Sequence, residues 1–175
     1  GTINTSTGVF STLTSVTGIL SNHNITGLSV DPTTDTIFIY SVHGFGGTNP
    51  GALYTLDPTT GAATLVGTQG VARVVGDIAI NSRGQIFAND LTTDSLYSID
   101  KATGAATLIG PLGFDIIGGG EGMDFDFTTD TLYAVLSHRD TPQSSFGTIN
   151  TTTGAFTEIA DFGGRVMEIA IASPR

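Results

Sequence analysis

The chain contains no cysteine, and only six of its 175 residues are Lys or Arg. The absence of cysteine excludes disulfides and thiol chemistry, although it does not decide the compartment. Charged residues make up 13% of the chain, so the Lys- and Glu-rich surfaces typical of helices are missing. No apolar run approaches the ~18–20 residues that span a bilayer. The polar residues are mainly Thr, Ser, Asn and Gly, which suit strands joined by tight turns.

The charge balance is strongly acidic, with sixteen acids and a formal net charge of -10. This field repels polyanions, so nucleic acids and anionic membranes are excluded as expected partners. Cations, sugars or proteins fit better. The first residue is Gly1, and we expect a processed or excised chain that acts outside the cell or at its surface.

One phrase recurs along the chain with alternating apolar and polar residues on both sides of an Asp/Asn-x-x-Thr-Gly or closely related turn. The period of two predicts strands with one buried face, and the turn residues predict a hairpin. Gly1 to Ser11 matches Gly147 to Thr157 at eight of eleven positions. The four copies begin near Gly1, Leu53, Leu96 and Phe146.

A second hairpin phrase lies between the copies, beginning at Gly27, Gly76 and Gly122. Two hairpins make a four-stranded unit, and Leu56, Ile99 and Ile149 mark its recurrence at spacings of 43 and 50 residues. A four-stranded meander at this spacing predicts an all-β fold, a small β-propeller of about four blades. A β-sandwich is the alternative. We expect blades at roughly 27–67, 76–110 and 122–160 within a single domain.

The repeat resembles the secreted bacterial β-propeller repeats that read Leu-Tyr-x-Ile-Asp-x-x-Thr-Gly-Ala-Ala-Thr-Leu-Ile-Gly. The resemblance covers nearly the whole chain. It implies a propeller fold and an exported or cell-surface protein, and it implies no particular activity.

The fourth blade is predicted to be split between residues 167–175 and 1–17, with Glu168–Ala172 as its inner strand, and to lack its second strand. Only 29 residues separate Ile149 from Ile3 across the joined ends. The blade could be reduced, the chain could be a fragment, or another subunit could complete the open edge by strand addition. The predicted closure or interface residues are Gly1, Thr2, Ile3, Asn4, Ile169, Ala170, Ile171 and Ala172.

The remaining candidate sites are less specific. His23, His43 and His138 fall in loops predicted to share one face, and three imidazoles could hold a transition metal, although unrelated loop histidines are the preferred interpretation. Aspartates that punctuate the turns could hold Ca²⁺, but local backbone capping is preferred. Asn4, Asn24 and Asn150 match the N-glycosylation pattern. The turn aspartates are Asp31, Asp35, Asp90, Asp94, Asp126 and Asp130.

No motif predicts catalysis, so the chain is expected not to be an enzyme. The Gly118–Gly122 run lacks the helix or Lys of a phosphate loop. We predict a structural or protein-interaction module that binds itself or neighbouring extracellular proteins. One alternative is a lectin-like module using Tyr40, His43, Phe45 and Asn49. Another is a hydrolase or lyase with Glu121 as an acid in a central channel.

Overall fold

The computed structural model describes residues 1–12, 14–44, 50–68, 74–116, 121–141 and 143–172. Within these ranges the chain forms strands and turns and no helix. The first two strands, β1 (Thr2–Ile3) and β2 (Phe10–Ser11), form a short hairpin by themselves. The other twelve strands form three four-stranded sheets. The prediction of an all-β fold, a small β-propeller, is confirmed.

Each four-stranded sheet is an antiparallel meander in chain order, which we call a blade. Blade 1 comprises β3 (Asn24–Asp31), β4 (Thr36–Val42), β5 (Ala52–Leu56) and β6 (Ala63–Thr68). Blade 2 comprises β7 (Val75–Ile80), β8 (Ile86–Asp90), β9 (Ser95–Ile99) and β10 (Ala106–Pro111). Blade 3 comprises β11 (Gly122–Asp126), β12 (Thr131–Ser137), β13 (Ser144–Ile149) and β14 (Phe156–Asp161). The first strand of each blade is its inner strand.

The recurring sequence phrase produces the same backbone irregularity in each blade. Val66, Ile109 and Ile159 are skipped in the pairing of the two outer strands, so each forms a bulge at the same place. Bulges increase local twist. The hairpin turns also follow the sequence, because the glycine that ends each one has a positive φ of 70–82°. Those glycines are Gly8, Gly61, Gly104 and Gly154.

The core lies between adjacent blades. Ile78 and Ile80 of β7 pack against Phe38 and Leu53 of blade 1. Between blades 2 and 3, the apolar cluster includes Phe87, Leu96, Met123 and Phe125. Blade 2 therefore buries one face of its strands on blade 1 and the other face on blade 3. The outward face of blade 1 is partly covered by Ile19 from the N-terminal linker.

Two glycines of the outer strands allow neighbouring blades to approach closely. A Cβ on Gly67 would lie 2.0 Å from the carbonyl oxygen of Thr103, in the last hairpin turn of blade 2. A Cβ on Gly110 would lie 2.2 Å from the corresponding Thr153 oxygen of blade 3. The glycine that closes the repeated Thr-Leu-Val/Ile-Gly phrase is thus explained by contact between blades.

Ion pairs join the turns of neighbouring blades. Lys101 of blade 2 donates to the buried Asp31 carboxylate of blade 1 at 2.7 Å. Arg83 of blade 2 pairs with Asp130 of blade 3 at 2.7 Å, and Ser82 donates to the same carboxylate. These contacts fix the blades at their turn ends in addition to the apolar packing.

The fourth blade differs from the expectation at its inner strand. Glu168–Ala172 was predicted to form a strand, but residues 165–172 form no strand ladder with the described part of the chain. Among the described residues no second strand lies beside this segment, so its backbone groups have no β partner there. Its position is nevertheless fixed next to β11, because a Cβ on Gly122 would lie 2.7 Å from the Ile169 nitrogen.

We predict that Gly110→Ala destabilises the protein by about 1–3 kcal/mol, because the new methyl group overlaps the backbone of blade 3. Urea unfolding followed by circular dichroism measures the change. The matched control is Gly164→Ala, where the added Cβ meets no atom within 4 Å. An unchanged midpoint for Gly110→Ala would contradict the close approach between blades 2 and 3.

Candidate functional site

The inner strands line an open cavity of about 900 Å³. One wall is β3 from Ile25 to Val30, and the others include Asp77 of β7, Asp124 of β11 and the C-terminal segment at Glu168–Ala170. Four inner segments therefore contribute to one axial space.

Two inner-strand carboxylates beside this cavity join β7 to β11 and β11 to the C-terminal segment. Asp77 accepts hydrogen bonds from its neighbour Ile78 N–H and from Met123 N–H of blade 3, both at 2.8 Å. Asp124 repeats the arrangement, accepting from Phe125 N–H at 2.8 Å and from Ile171 N–H at 2.7 Å. The C-terminal segment is thus held by the same carboxylate bridge that joins blade 2 to blade 3.

The bridge at Asp77 places a carboxyl group in an unfavourable environment. Burial, followed by repulsion from Glu168, raises the pKa of Asp77 to about 8, against the lowering effect of the two N–H donors. Desolvation and the nearby charge of Asp124 also raise the pKa of Glu168. Asp77 therefore carries less negative charge at neutral pH than an exposed aspartate.

Asp77 and Glu168 were not predicted from the sequence as partners in this cluster, and the acid expected in a central channel was Glu121. The available signal was the match of Asp77-Ile78-Ala79-Ile80 to Glu168-Ile169-Ala170-Ile171, which puts an acid at the same position in two inner segments. Glu121 is buried and does not line the cavity, and Asp126 caps the following turn through Thr128 N–H.

The inner strand of blade 1 presents an open apolar face to the cavity. Leu28 and Val30 are 55% and 40% exposed. The turn positions align them with Ile78 and Ile80 in β7, each 1% exposed, and with Met123 and Phe125 in β11, 4% and 1% exposed. In blades 2 and 3 these side chains are buried by the preceding blade. Blade 1 lacks such a neighbour.

The turn after the inner strand also differs between blade 1 and blade 3 in its polar contacts. Asp130 of blade 3 accepts hydrogen bonds from Ser82 of the preceding blade and pairs with Arg83. Asp35 occupies the corresponding turn position in blade 1 and has the same φ of 55°. Among the described residues, no side chain or backbone group donates to its carboxylate, so the turn of blade 1 also lacks its upstream partner.

The predicted closure residues fall into two groups. Gly1, Thr2, Ile3 and Asn4 belong to the β1–β2 hairpin, all of whose residues are exposed, and the hydrogen bonds described for residues 1–12 stay within that segment. Ile169, Ala170, Ile171 and Ala172 lie against β11. The structure forms the predicted hairpin but describes no hydrogen bond between these two parts of the split blade.

The three histidines do not form one group. His23 and His43 lie together, with ring centroids 5.6 Å apart, and burial followed by the charge of His43 lowers the pKa of His23. His138 instead packs on Phe114 and lies 2.9 Å from the Ser145 hydroxyl. Within the described ranges, no three His, Asp or Glu side chains are arranged to hold a metal ion.

The turn aspartates form local hydrogen bonds. Asp31, Asp90 and Asp126 each accept a hydrogen bond from the backbone N–H two residues later. Burial opposes the shift, but hydrogen bonds from Lys101 and Thr33 lower the pKa of Asp31 to about 2. These contacts agree with the capping interpretation, and the described residues offer no calcium cage.

The glycosylation candidates are all exposed. Asn4 and Asn150 occupy equivalent turns, where each side-chain oxygen accepts from the backbone N–H groups two and three residues later. Asn24 begins β3. Modification at these three residues stays a prediction.

The lectin-like alternative loses one of its aromatic residues. Tyr40 is fully buried between blades 1 and 2, so its ring cannot stack on a sugar, and burial raises the pKa of its hydroxyl. Phe45 and Asn49, together with Gly118–Gly120, lie outside the described residues. His43 remains partly exposed.

Solved structures show the same fold at low sequence identity. A chain of a nidogen/laminin complex aligns with a TM-score of 0.62 and 15% identity over 83% of this chain and 51% of that one. A calcium-binding protein, regucalcin, from Agrobacterium tumefaciens gives 0.57 and 17%, over 94% of this chain and 52% of that one. A structural genomics protein of unknown function from Bacteroides thetaiotaomicron gives 0.53 and 20%, over 75% and 32%.

This chain therefore spans about half the length of the first two propeller structures it matches. No protein-family model and no curated protein sequence matches it. The part of the chain that the structure describes contains no helix suited to crossing a membrane.

We predict that the free energy of unfolding falls as pH rises from about 4 to 8. The pKa of Asp77 is higher in the folded state, about 8, than its ordinary value of 3.8, so its contribution is complete below pH 4 and is lost through pH 8. The expected slope approaches one proton, up to ~1.4 kcal/mol per pH unit. Urea titrations at several pH values measure it.

The Asp77→Asn variant should lose most of this slope, because position 77 no longer titrates. The control is Asp57→Asn in an exposed turn, where hydrogen bonds from Thr59 and Thr60 lower the pKa of Asp57 to about 2. That variant should keep the wild-type slope above pH 5. Equal slopes for wild type and Asp77→Asn would show that Asp77 is not the group responsible.

Proposed function

We propose that the chain is an extracellular structural or protein-interaction module that associates through its open fourth blade. The observation that carries this proposal is the exposure of Leu28 and Val30 at positions that are buried in the other two blades. An apolar strand face that lacks its neighbouring blade gains free energy when another surface covers it. The module would act by presenting this face to itself or to a neighbouring protein.

The edge of the incomplete blade supports association by strand addition. β1 is paired to β2 on one side only, and residues 168–172 have no ladder partner among the described residues. An added strand could satisfy these main-chain groups and needs few special side chains. Exposed Ile3 and Phe10 on the hairpin offer apolar contacts beside that edge.

The placement outside the cell rests on the sequence and on a similar structure. The repeats resemble those of secreted propeller proteins, and the net charge of -10 disfavours nucleic acids as partners. The nidogen/laminin structure is a complex between proteins, which supports a protein as the partner of a propeller of this kind.

The axial cavity favours ligand binding as a second candidate function. Its volume of about 900 Å³ could admit a small ligand, and Asp77, Asp124 and Glu168 line it with carboxyl groups. A glycan or a cationic ligand would fit this chemistry. Binding on a glycan array would favour this candidate if the binding is lost when larger side chains are introduced into the cavity. The proposal contains no catalytic step, because Glu121, considered as a general acid, lies outside the lining.

We predict that the protein self-associates and that Leu28→Lys weakens the association at least tenfold, equivalent to about 1.4 kcal/mol. A Lys ammonium on the open face would lose hydration when the face is covered. Sedimentation velocity over a range of protein concentrations measures the dissociation constant.

The matched control is Leu108→Lys on β10, because Leu108 is 56% exposed and Leu28 is 55% exposed. The two variants add the same charge, but only Leu28 lies on the open face. A wild-type protein that stays monomeric at high concentration would count against self-association. Equal weakening by both variants would place the contact elsewhere.

A further inference from the structure

The three blades follow one another in an arc, and blades 1 and 3 lie at its two ends. The end face of blade 1 is called upstream and the end face of blade 3 downstream, in chain order. The upstream face of blade 1 carries exposed Leu28 and Val30. The downstream face of blade 3 carries Tyr133 and Phe146, half-buried and stacked with ring centroids 5.5 Å apart and planes within 4°. Each face is apolar, and each lies where a further blade would pack.

A downstream face packs on an upstream face twice inside the molecule, once between blades 1 and 2 and once between blades 2 and 3. By strand register, Tyr133 and Phe146 correspond to Phe87 and Leu96 of blade 2. Phe87 and Leu96 are 6% and 0% exposed because they lie in one cluster with Met123 and Phe125 of blade 3. The downstream face of blade 3 is therefore of the type that covers an upstream face like that of blade 1.

The chain does not use its own hairpin to close this gap. Ile3 is 64% exposed, whereas its counterpart Ile149 in the matching hairpin of blade 3 is 3% exposed. Phe10 is 62% exposed, and its counterpart Phe156 is half-buried. The β1–β2 hairpin has the apolar residues of a docked outer hairpin, and its own chain leaves them uncovered.

The number of copies follows from a comparison with longer propellers. This chain covers 51–52% of the length of the first two solved chains that it matches. An arc equal to half of a longer propeller is completed by one further arc of the same size. Two different complementary faces on one chain make a head-to-tail contact, which closes into a ring when the rotation allows it.

We propose that two copies of this chain close head to tail into one ring, in which residues 168–172 of each copy lie in the same split blade as the β1–β2 hairpin of the other. This proposal rests on the proposed function, self-association through the open blade, and adds its partner and stoichiometry. Leu28 and Val30 of each copy are covered by the downstream end of the other. The ring contains six complete blades and two shared ones.

The shared blade still lacks its second strand. The inner segment of one copy and β1 of the other would then lie two strand spacings apart, about 10 Å. Because the chain contains no cysteine, thiols can be introduced there without interference. Ile3 and Ala170 are both exposed, so cysteine at these positions should leave the fold intact. Unfolding midpoints of the variants verify this.

The test uses the double variant Ile3→Cys/Ala170→Cys, treated with a short flexible bismaleimide and separated on a denaturing gel. The proposal predicts covalent dimers as the end product, because each two-copy ring contains two cross-links between the same two chains. Mixing two single variants, each with one of the cysteines and a different mass tag, should give cross-links between the tags. The matched control, Ile3→Cys/Leu108→Cys, should give none.

The other outcomes distinguish a failure of the two-copy ring from a failure of self-association. Cross-linked monomers would show that the ring closes within one chain and would overturn the two-copy ring. A ladder of trimers and larger species would show open head-to-tail growth, which overturns the ring but leaves self-association intact. No cross-link, with a monomer at all concentrations, would overturn both.

Discussion

The packing of one blade on the next is the constraint on which the rest of the molecule depends. A single four-stranded sheet of this size has two apolar faces and cannot bury either alone. Ile78 and Ile80 are buried because blade 1 lies over them, and Phe87 and Leu96 are buried because blade 3 lies over them. Gly67 and Gly110 permit this stacking, because a side chain at either position would meet the next blade's backbone. Each blade is therefore stabilised by the blades next to it. A blade face without a neighbour does not gain this stabilisation.

Polar groups reinforce the same arrangement at two levels. At the turns, Lys101 and Arg83 each reach a carboxylate of an adjacent blade. Near the axis, Asp77 and Asp124 accept N–H groups from the next inner segment. Burial raises the pKa of both Asp77 and Asp31, but hydrogen bonds from Lys101 and Thr33 outweigh it at Asp31 and lower that pKa to about 2. The bridge at Asp77 is therefore expected to depend on pH in the neutral range.

The functional interpretation follows from the positions where this pattern stops. Leu28 and Val30 occupy positions that are buried in blades 2 and 3, and Asp35 occupies the position of Asp130, which is paired in blade 3. Nothing in their residue types distinguishes them from their buried counterparts. Their availability is a consequence of their place in the arc. For that reason we propose this face, which has acidic groups near it, as a surface for association.

The sequence by itself determined the all-β class, the hairpins, and their turns, because alternation and turn residues such as Asp57 and Gly61 act over a few neighbouring positions. It also identified the segment Glu168–Ala172 as equivalent to an inner strand. Only the tertiary structure decided that this segment forms no ladder and that His138 lies away from the other two histidines. It likewise decided that Asp77 bridges two blades and that Leu28 stays exposed. These features depend on which surfaces meet across the fold. The inner strands of blades 1 and 2 have a similar sequence pattern, but their neighbours differ, so the sequence alone does not distinguish their exposure.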